Sequence, residues 1–260
     1  MHRHGIPVTD FDLVTGAGSL SRSFVQGAAS VEPVAFVIGG RGILGARKDT
    51  ERISEWTKRF VNPNKIMVEN DVSKRMLEPI FEGCRRQPTF LYLNGHASSL
   101  EYFPQDCGSG ISFERTRQLL IDTPRSMKLV MVTDMCECSN FLKLPFVAYC
   151  TRQGWVWNET KEYQADPDGF GDERKKILHF AATDESGAAY SWESIGGVFT
   201  KEFSNVSPGT GLGKRLDQTQ AWITPILDKH AGGVVQFPQL YSSHKFDFEK
   251  ENILSVMGVN

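Results

Sequence analysis

Two short segments of this chain set a thiol and an imidazole where a nucleophile and its base would stand. They are Asn94-Gly95-His96-Ala97-Ser98 and Thr133-Asp134-Met135-Cys136-Glu137-Cys138. Each follows directly on an apolar run, Phe90-Leu91-Tyr92-Leu93 and Leu129-Val130-Met131-Val132. A cysteine attacks a carbonyl carbon as the thiolate, and an imidazole within reach can take its proton. The same residues admit a plainer reading, in which His96 is a satisfied loop histidine and Cys136 a small core residue, where free cysteine usually goes. Cys138 is a second candidate thiol. Cys136 and Cys138 could share a zinc ion, but no second ligand pair at finger-like spacing accompanies them, and no metal site is expected.

For such a pair to meet, two strands must end side by side. From Val34 onward, short apolar runs at 34–38, 65–69, 89–93, 128–132 and 177–181, with a weaker one at 234–237, alternate with amphipathic stretches at 49–60, 74–84, 113–121, 197–203 and 218–230. That alternation predicts an α/β fold, a three-layer α/β/α sandwich with a mostly parallel six-stranded sheet. In open parallel sheets, reactive groups collect at the carboxyl ends of strands, where both segments lie. The stretch 151–176 holds the turn residues Asp166-Pro167-Asp168-Gly169 and is expected to be a long exposed loop. Residues 1–31, rich in Gly, Ser, Thr and Ala without a period, are expected to form a flexible leader, which leaves one domain over 32–260. The leader's His2 and His4 are read as tail residues.

Composition narrows the classes. With 29 Lys and Arg against 31 Asp and Glu, the net charge is -2, so no basic field exists to hold nucleic acid. No apolar run approaches the roughly 20 residues that cross a bilayer, and the first residues lack the apolar core of a signal peptide. A soluble, cytoplasmic protein with neither nucleic acid nor membrane as partner is expected. Five cysteines at irregular spacing are not a disulfide framework. Gly39-Gly40-Arg41-Gly42 completes neither GxGxxG nor a Walker pattern, which weakens a nucleotide-binding reading.

The order of strand-Gly-His and strand-Asp-x-Cys resembles the caspase-like peptidase clan, and specifically the metacaspases, which carry Ser-Gly-His-Gly and Asp-Cys-Cys-His-Ser-Gly at consecutive strand ends. Further pieces are similar along the chain: Ala35 to Gly39 and Leu44 to Asp49 resemble the family's first strand and helix start. Ala181 to Glu185, Ala189 to Glu193 and Gly196 to Thr200 resemble its late strand, substrate loop and next helix. Gln236-Phe237-Pro238-Gln239-Leu240-Tyr241-Ser242-Ser243 resembles its closing strand. The resemblance implies a cysteine endopeptidase with Cys136 as nucleophile, His96 as base, and the backbone N–H groups of Cys136 and of Gly95 or Ala97 holding the oxyanion. Asp134, two residues before the nucleophile, with Asp49 and Asn94, matches positions lining the first specificity pocket. Two acids and an amide there imply protein or peptide substrates with Arg or Lys before the scissile bond. The Arg found beside Ser-Trp in aspartate-cutting caspases is here Glu193, so the cation an aspartate would need is missing; Trp192 is a candidate wall of the second subsite or an ordinary core tryptophan.

Where the pattern is broken, activity is at stake. Ala97 replaces glycine, Asn94 serine and Glu137 histidine, and Glu137 would disfavour a thiolate if its carboxylate faced inward. The alternative reading is a catalytically impaired pseudo-peptidase serving as a binding or scaffold module. Family calcium sites use clustered aspartates after the histidine strand; here Asp106 stands alone there, so no cofactor is expected. The resemblance also implies a monomer, and an active enzyme of basic specificity would be expected to cut itself at Arg174 to Lys176.

Overall fold

The computed structural model describes residues 31–98, 100–105, 109–122, 126–165 and 173–259. The expected leader, apart from Val31, lies outside them, as do Asp106, Cys107 and the Asp166 to Asp172 stretch. In chain order the elements are β1 (Val34–Gly39), α1 (Ala46–Thr57), β2 (Ile66–Asn70), α2 (Lys74–Gly83), β3 (Thr89–Asn94), β4 (His96–Ser98), β5 (Glu101–Phe103), β6 (Ile111–Ser112) and α3 (Phe113–Leu120). Then come β7 (Met127–Asp134), β8 (Phe146–Thr151), β9 (Gly154–Glu159), α4 (Lys161–Ala165), β10 (Lys175–Ala181), β11 (Ser191–Trp192), β12 (Gly196–Gly197), α5 (Val198–Asn205), α6 (Leu212–Ala231), β13 (Gln239–Ser242) and α7 (Ile253–Met257).

One large sheet runs in the order β2-β1-β3-β7-β10-β13-β8-β9. Its first five strands are parallel, and β13, β8 and β9 complete it antiparallel. The strands β3 and β7 read as unbroken apolar runs because both faces are covered. Phe90 of β3 packs on Trp56 of α1, which also meets Phe203 of α5, and Phe180 of β10 meets the same Phe203. The next residue back, His179, points the other way, into Phe141, which packs on Phe113 of α3. Helices α1 and α5 therefore cover one face and α3 the other, giving the three layers. Arg215 of α6 is fully buried, with no acid paired to it among the described residues; its guanidinium donates to the carbonyls of Phe203 and Val206 at the end of α5 and lies over the rings of Phe203 and Trp56.

Five expectations are corrected. The sheet has eight strands, because β8 and β9 form a hairpin at its edge: Phe146 to Cys150 of β8 is an apolar run that the six-strand expectation leaves out, while β9 is mixed and mostly exposed. That hairpin and α4 occupy much of 151–165, which was expected to be loop. The run at 234–237 is not a strand: Val235 and Phe237 are 60% and 50% exposed, Pro238 has no N–H for a ladder, and pairing starts at Gln239. Helix α6 begins at Leu212 rather than 218, since Leu212, Arg215, Leu216 and Thr219 continue its buried stripe through a glycine-rich start. Finally, Arg174 to Lys176 is not a free cleavage segment. Lys175 opens β10 opposite Met127, and the Arg174 carbonyl accepts from the Met127 N–H at 3.0 Å. Cutting there would require unzipping a central strand.

Candidate active site

The parallel ladder aligns Asn94 of β3 with Asp134 of β7. His96 and Cys136 therefore each come two residues beyond a paired position on neighbouring strands, and both line one small cleft of about 80 Å³. Asn94, Gly95 and Asp134 line it too, with Ile43 from the loop after β1 and Ala189 from the loop after β10. Glycine is required at 95: a Cβ there would stand 2.8 Å from the Phe103 carbonyl oxygen. His96 opens β4 and is exposed, while Cys136 is half-buried. The Cys136 Sγ accepts a hydrogen bond from the Ala189 N–H at 3.3 Å. Beyond it the chain turns sharply, with Glu137 at φ 50° and its N–H donating to the Gly187 carbonyl at 3.1 Å. Glu137 itself is exposed.

The two thiols differ sharply. Cys138 is completely buried, its Sγ 3.7 Å from the Thr133 carbonyl oxygen and from Thr183 Oγ1. Burial pushes that thiol up. Cys138 is a core residue and Cys136 the thiol at the cleft.

Asp134 and Asp49 form a buried acid pair beneath the cleft. Asp134 Oδ2 accepts from the N–H and hydroxyl of Thr200, in the first turn of α5. Asp49, from α1, accepts from the Gly197 N–H on both oxygens at 3.0 and 2.9 Å, and from Arg52 at 3.2 Å. Asn94 Nδ2 reaches Asp49 at 3.4 Å and the Tyr92 hydroxyl at 3.4 Å. Among the described residues, buried Asn94 Oδ1 has no hydrogen-bond partner. Burial, then the charge of Asp134, lifts Asp49 to about 8, while the Gly197 N–H and Arg52 pull against them. Burial also lifts Asp134 to about 6, against the two bonds from Thr200.

Of the residues expected from sequence, His96, Cys136, Gly95, Asn94 and Asp134 meet at the cleft. Asp49 lies behind Asn94 and does not line it. Ala97 is buried in β4 and does not line it either. Trp192 also stands apart, half-buried, its ring 5.7 Å from that of His230 at the end of α6. Sequence reasoning missed Arg52, which ties Asp49 to the Ile195 carbonyl. It also missed Gly197 and Thr200, whose contacts arise only when the α5 start closes over the acids. A Cβ at Gly197 would lie 2.1 Å from Asp134 Oδ2. Among the described residues, no three His, Cys, Asp or Glu side chains gather as a metal ion would need, and no helix is long and apolar enough to cross a membrane.

No protein-family model matches the sequence, and no curated protein matches it. Solved structures do. Caspase-1 from Spodoptera frugiperda superposes with a TM-score of 0.53 at 9% identity, over 85% of this chain and 90% of that one. Protein GSU0716 from Geobacter sulfurreducens superposes with a TM-score of 0.52 at 11% identity, over 85% of this chain and 97% of that one. At such identities the likeness is one of architecture: the chain has a caspase-like fold.

Proposed function

We propose that this chain is a cysteine endopeptidase of metacaspase type that cleaves after Arg or Lys. The observation that carries this reading is the single cleft shared by His96 and Cys136, floored by Asp134 and by the unpartnered Oδ1 of Asn94. His96 takes the thiol proton as Sγ attacks the substrate carbonyl carbon. The oxyanion accepts from the backbone N–H groups of Cys136 and Gly95, and the amine leaves with the proton returned by His96. Water, deprotonated by His96, then releases the acyl group from sulfur. A cationic side chain supplies what the floor lacks: donors for Asn94 Oδ1 and a counter-charge for the acid pair. Calcium has no part in this scheme. A monomer is also proposed, supported by β8 of the same chain covering the edge of β13.

A second reading, the pseudo-peptidase, is favoured by one observation: Asp49 is already engaged by Arg52 and Gly197. Hydrolysis of fluorogenic peptides ending in Arg, Lys or Asp separates the two, with Cys136→Ala as control and calcium or chelator present. Cleavage after Arg or Lys that is lost in the variant and indifferent to chelator is expected. Cleavage after Asp would sink the pocket argument, and silence together with failed labelling of Cys136 would favour the second reading.

A further inference from the structure

The backbone of Ala189 and Tyr190 is gripped from both sides. On one side lies the candidate nucleophile: the Ala189 N–H donates to Cys136 Sγ at 3.3 Å, and the Ala189 carbonyl stands 3.9 Å from the same sulfur. On the other, the N–H of Tyr190 donates to Gln236 Oε1 at 3.3 Å. In a trans peptide the C=O and the following N–H point opposite ways, so holding the Tyr190 N–H fixes where the Ala189 carbonyl points. Gln236 is itself held. It is 1% exposed, its Nε2 donates to the Ala182 carbonyl at 3.1 Å just past β10, and its own carbonyl accepts from Gln220 of α6 at 3.2 Å. Its amide orientation follows from its partners, since one is a backbone donor and the other a backbone acceptor. The segment that carries Gln236 belongs to no strand or helix, so these bonds, rather than a ladder, register it.

We propose that Gln236 is a positioning residue for the nucleophile: through the Tyr190 N–H it holds the Ala189 backbone against Cys136, so that the Ala189 N–H supports negative charge on sulfur during attack. This rests on the peptidase reading for its role in turnover, but not for its effect on sulfur. Releasing Gln236 frees the backbone at 189–190 to shift away from Cys136, and as Ala189 moves the sulfur loses its N–H, a donor that a thiolate uses and a neutral thiol does not need.

The test compares wild type, Gln236→Met and Gln236→Glu in the full chain. Gln236→Met keeps the length but removes both side-chain hydrogen bonds, and is expected to slow iodoacetamide labelling of Cys136 at pH 7 about tenfold, the scale of one hydrogen bond to a charged group. With Arg peptides, kcat is expected to fall by a similar factor and KM to hold. Gln236→Glu keeps size and acceptor. Its carboxyl donates to the Ala182 carbonyl only when protonated, so its labelling rate relative to wild type is expected to recover as pH falls. Labelling in Gln236→Met that is unchanged or faster would overturn the proposal, as loosening without positioning would do this. If Gln236→Met does not fold, a Gln236→Glu ratio flat with pH would overturn it instead. Labelling is read without peptide cleavage, so a chain that cuts no peptide defeats the peptidase reading while leaving this inference decided by the thiol.

Discussion

The two halves of the large sheet differ in almost every respect that matters for function. The parallel half, β2-β1-β3-β7-β10, is buried through its middle strands and delivers His96, Cys136, Asn94 and Asp134 from two adjacent carboxyl ends. The antiparallel half, β13-β8-β9, contributes nothing to the cleft, and β9 is largely exposed. In a parallel ladder, equal register puts successive strand ends side by side, so groups far apart in sequence meet. An antiparallel hairpin alternates its ends and serves here as a cover. Substitutions in the first half should therefore change chemistry, and those in the second stability.

The sharpest form of the contrast lies within the parallel half, two residues apart. Cys136→Ala is expected to lower peptide hydrolysis by roughly 10³-fold or more, as loss of a nucleophile does. Cys138→Ala removes only a buried sulfur and should leave cleavage near wild type while lowering stability by about 1–2 kcal/mol, read in urea unfolding. Equal losses of activity in the two variants would break the assignment. Next in size is Asp134→Asn. It is expected to reduce kcat/KM for Arg peptides by roughly 100-fold, about 3 kcal/mol of charge complementarity, and to affect peptides with a neutral residue there far less.

How much of this was legible in the sequence follows from burial. Strands covered on both faces, such as Phe90 to Leu93 and Leu129 to Val132, announce themselves as apolar runs, and the polar residues just past them mark the site. The hairpin was legible only in its first strand, where Phe146 to Cys150 is an apolar run; β9 offers just Trp155-Val156-Trp157 between polar residues, and Tyr149 and Val156 pair with each other yet stay exposed. Nor did any local pattern reveal that Asp49 and Asp134 would be sealed by Gly197 and Thr200. Those contacts bridge 148 and 66 residues of chain. Resemblance placed both acids near the pocket, but only packing separates Asp134, at the cleft, from Asp49 behind it.

That sealing makes the cleft sensitive to pH in a definite direction. Asp49 and Asp134 are raised above the ordinary 3.8, to about 8 and about 6, so the folded protein keeps protons that the unfolded chain has released. Their contribution to stability is therefore greatest at acid pH and is lost as pH rises from about 4 to about 8. His179, buried in β10 with its Nε2 on Thr133, is lowered from 6.5 to about 3 by burial. Its contribution runs the other way and is lost as pH falls from about 6.5 to about 3. Thermal unfolding should thus peak between these limbs, and Asp49→Asn should flatten the alkaline one. A cationic side chain binds best to the ionised pair. KM for Arg peptides is expected to fall as pH rises from 6 through 8, by up to about tenfold per unit. A KM constant over that range, with the alkaline limb intact, would detach the acid pair from substrate.

The smallest expected effect on cleavage belongs to the cover. Trp157 of β9 donates its ring N–H to the Phe246 carbonyl at 2.7 Å and stacks on Phe248 at 4.7 Å, while its neighbour Trp155 donates to Asp217 of α6. These contacts pin the hairpin to the end of the chain. Trp157→Ala empties a large aromatic site and is expected to lower stability by about 3 kcal/mol. No cleft residue touches this ring, so kcat and KM should stay within about twofold of wild type at temperatures where the variant is folded. Because β8 covers β13, a loosened hairpin also uncovers a strand edge, which is a template for pairing with another chain. Sedimentation at increasing concentration should show more self-association for Trp157→Ala than for wild type. If instead kcat falls while the variant remains folded and monomeric, the antiparallel half takes part in the chemistry, and the division between the two halves of the sheet fails.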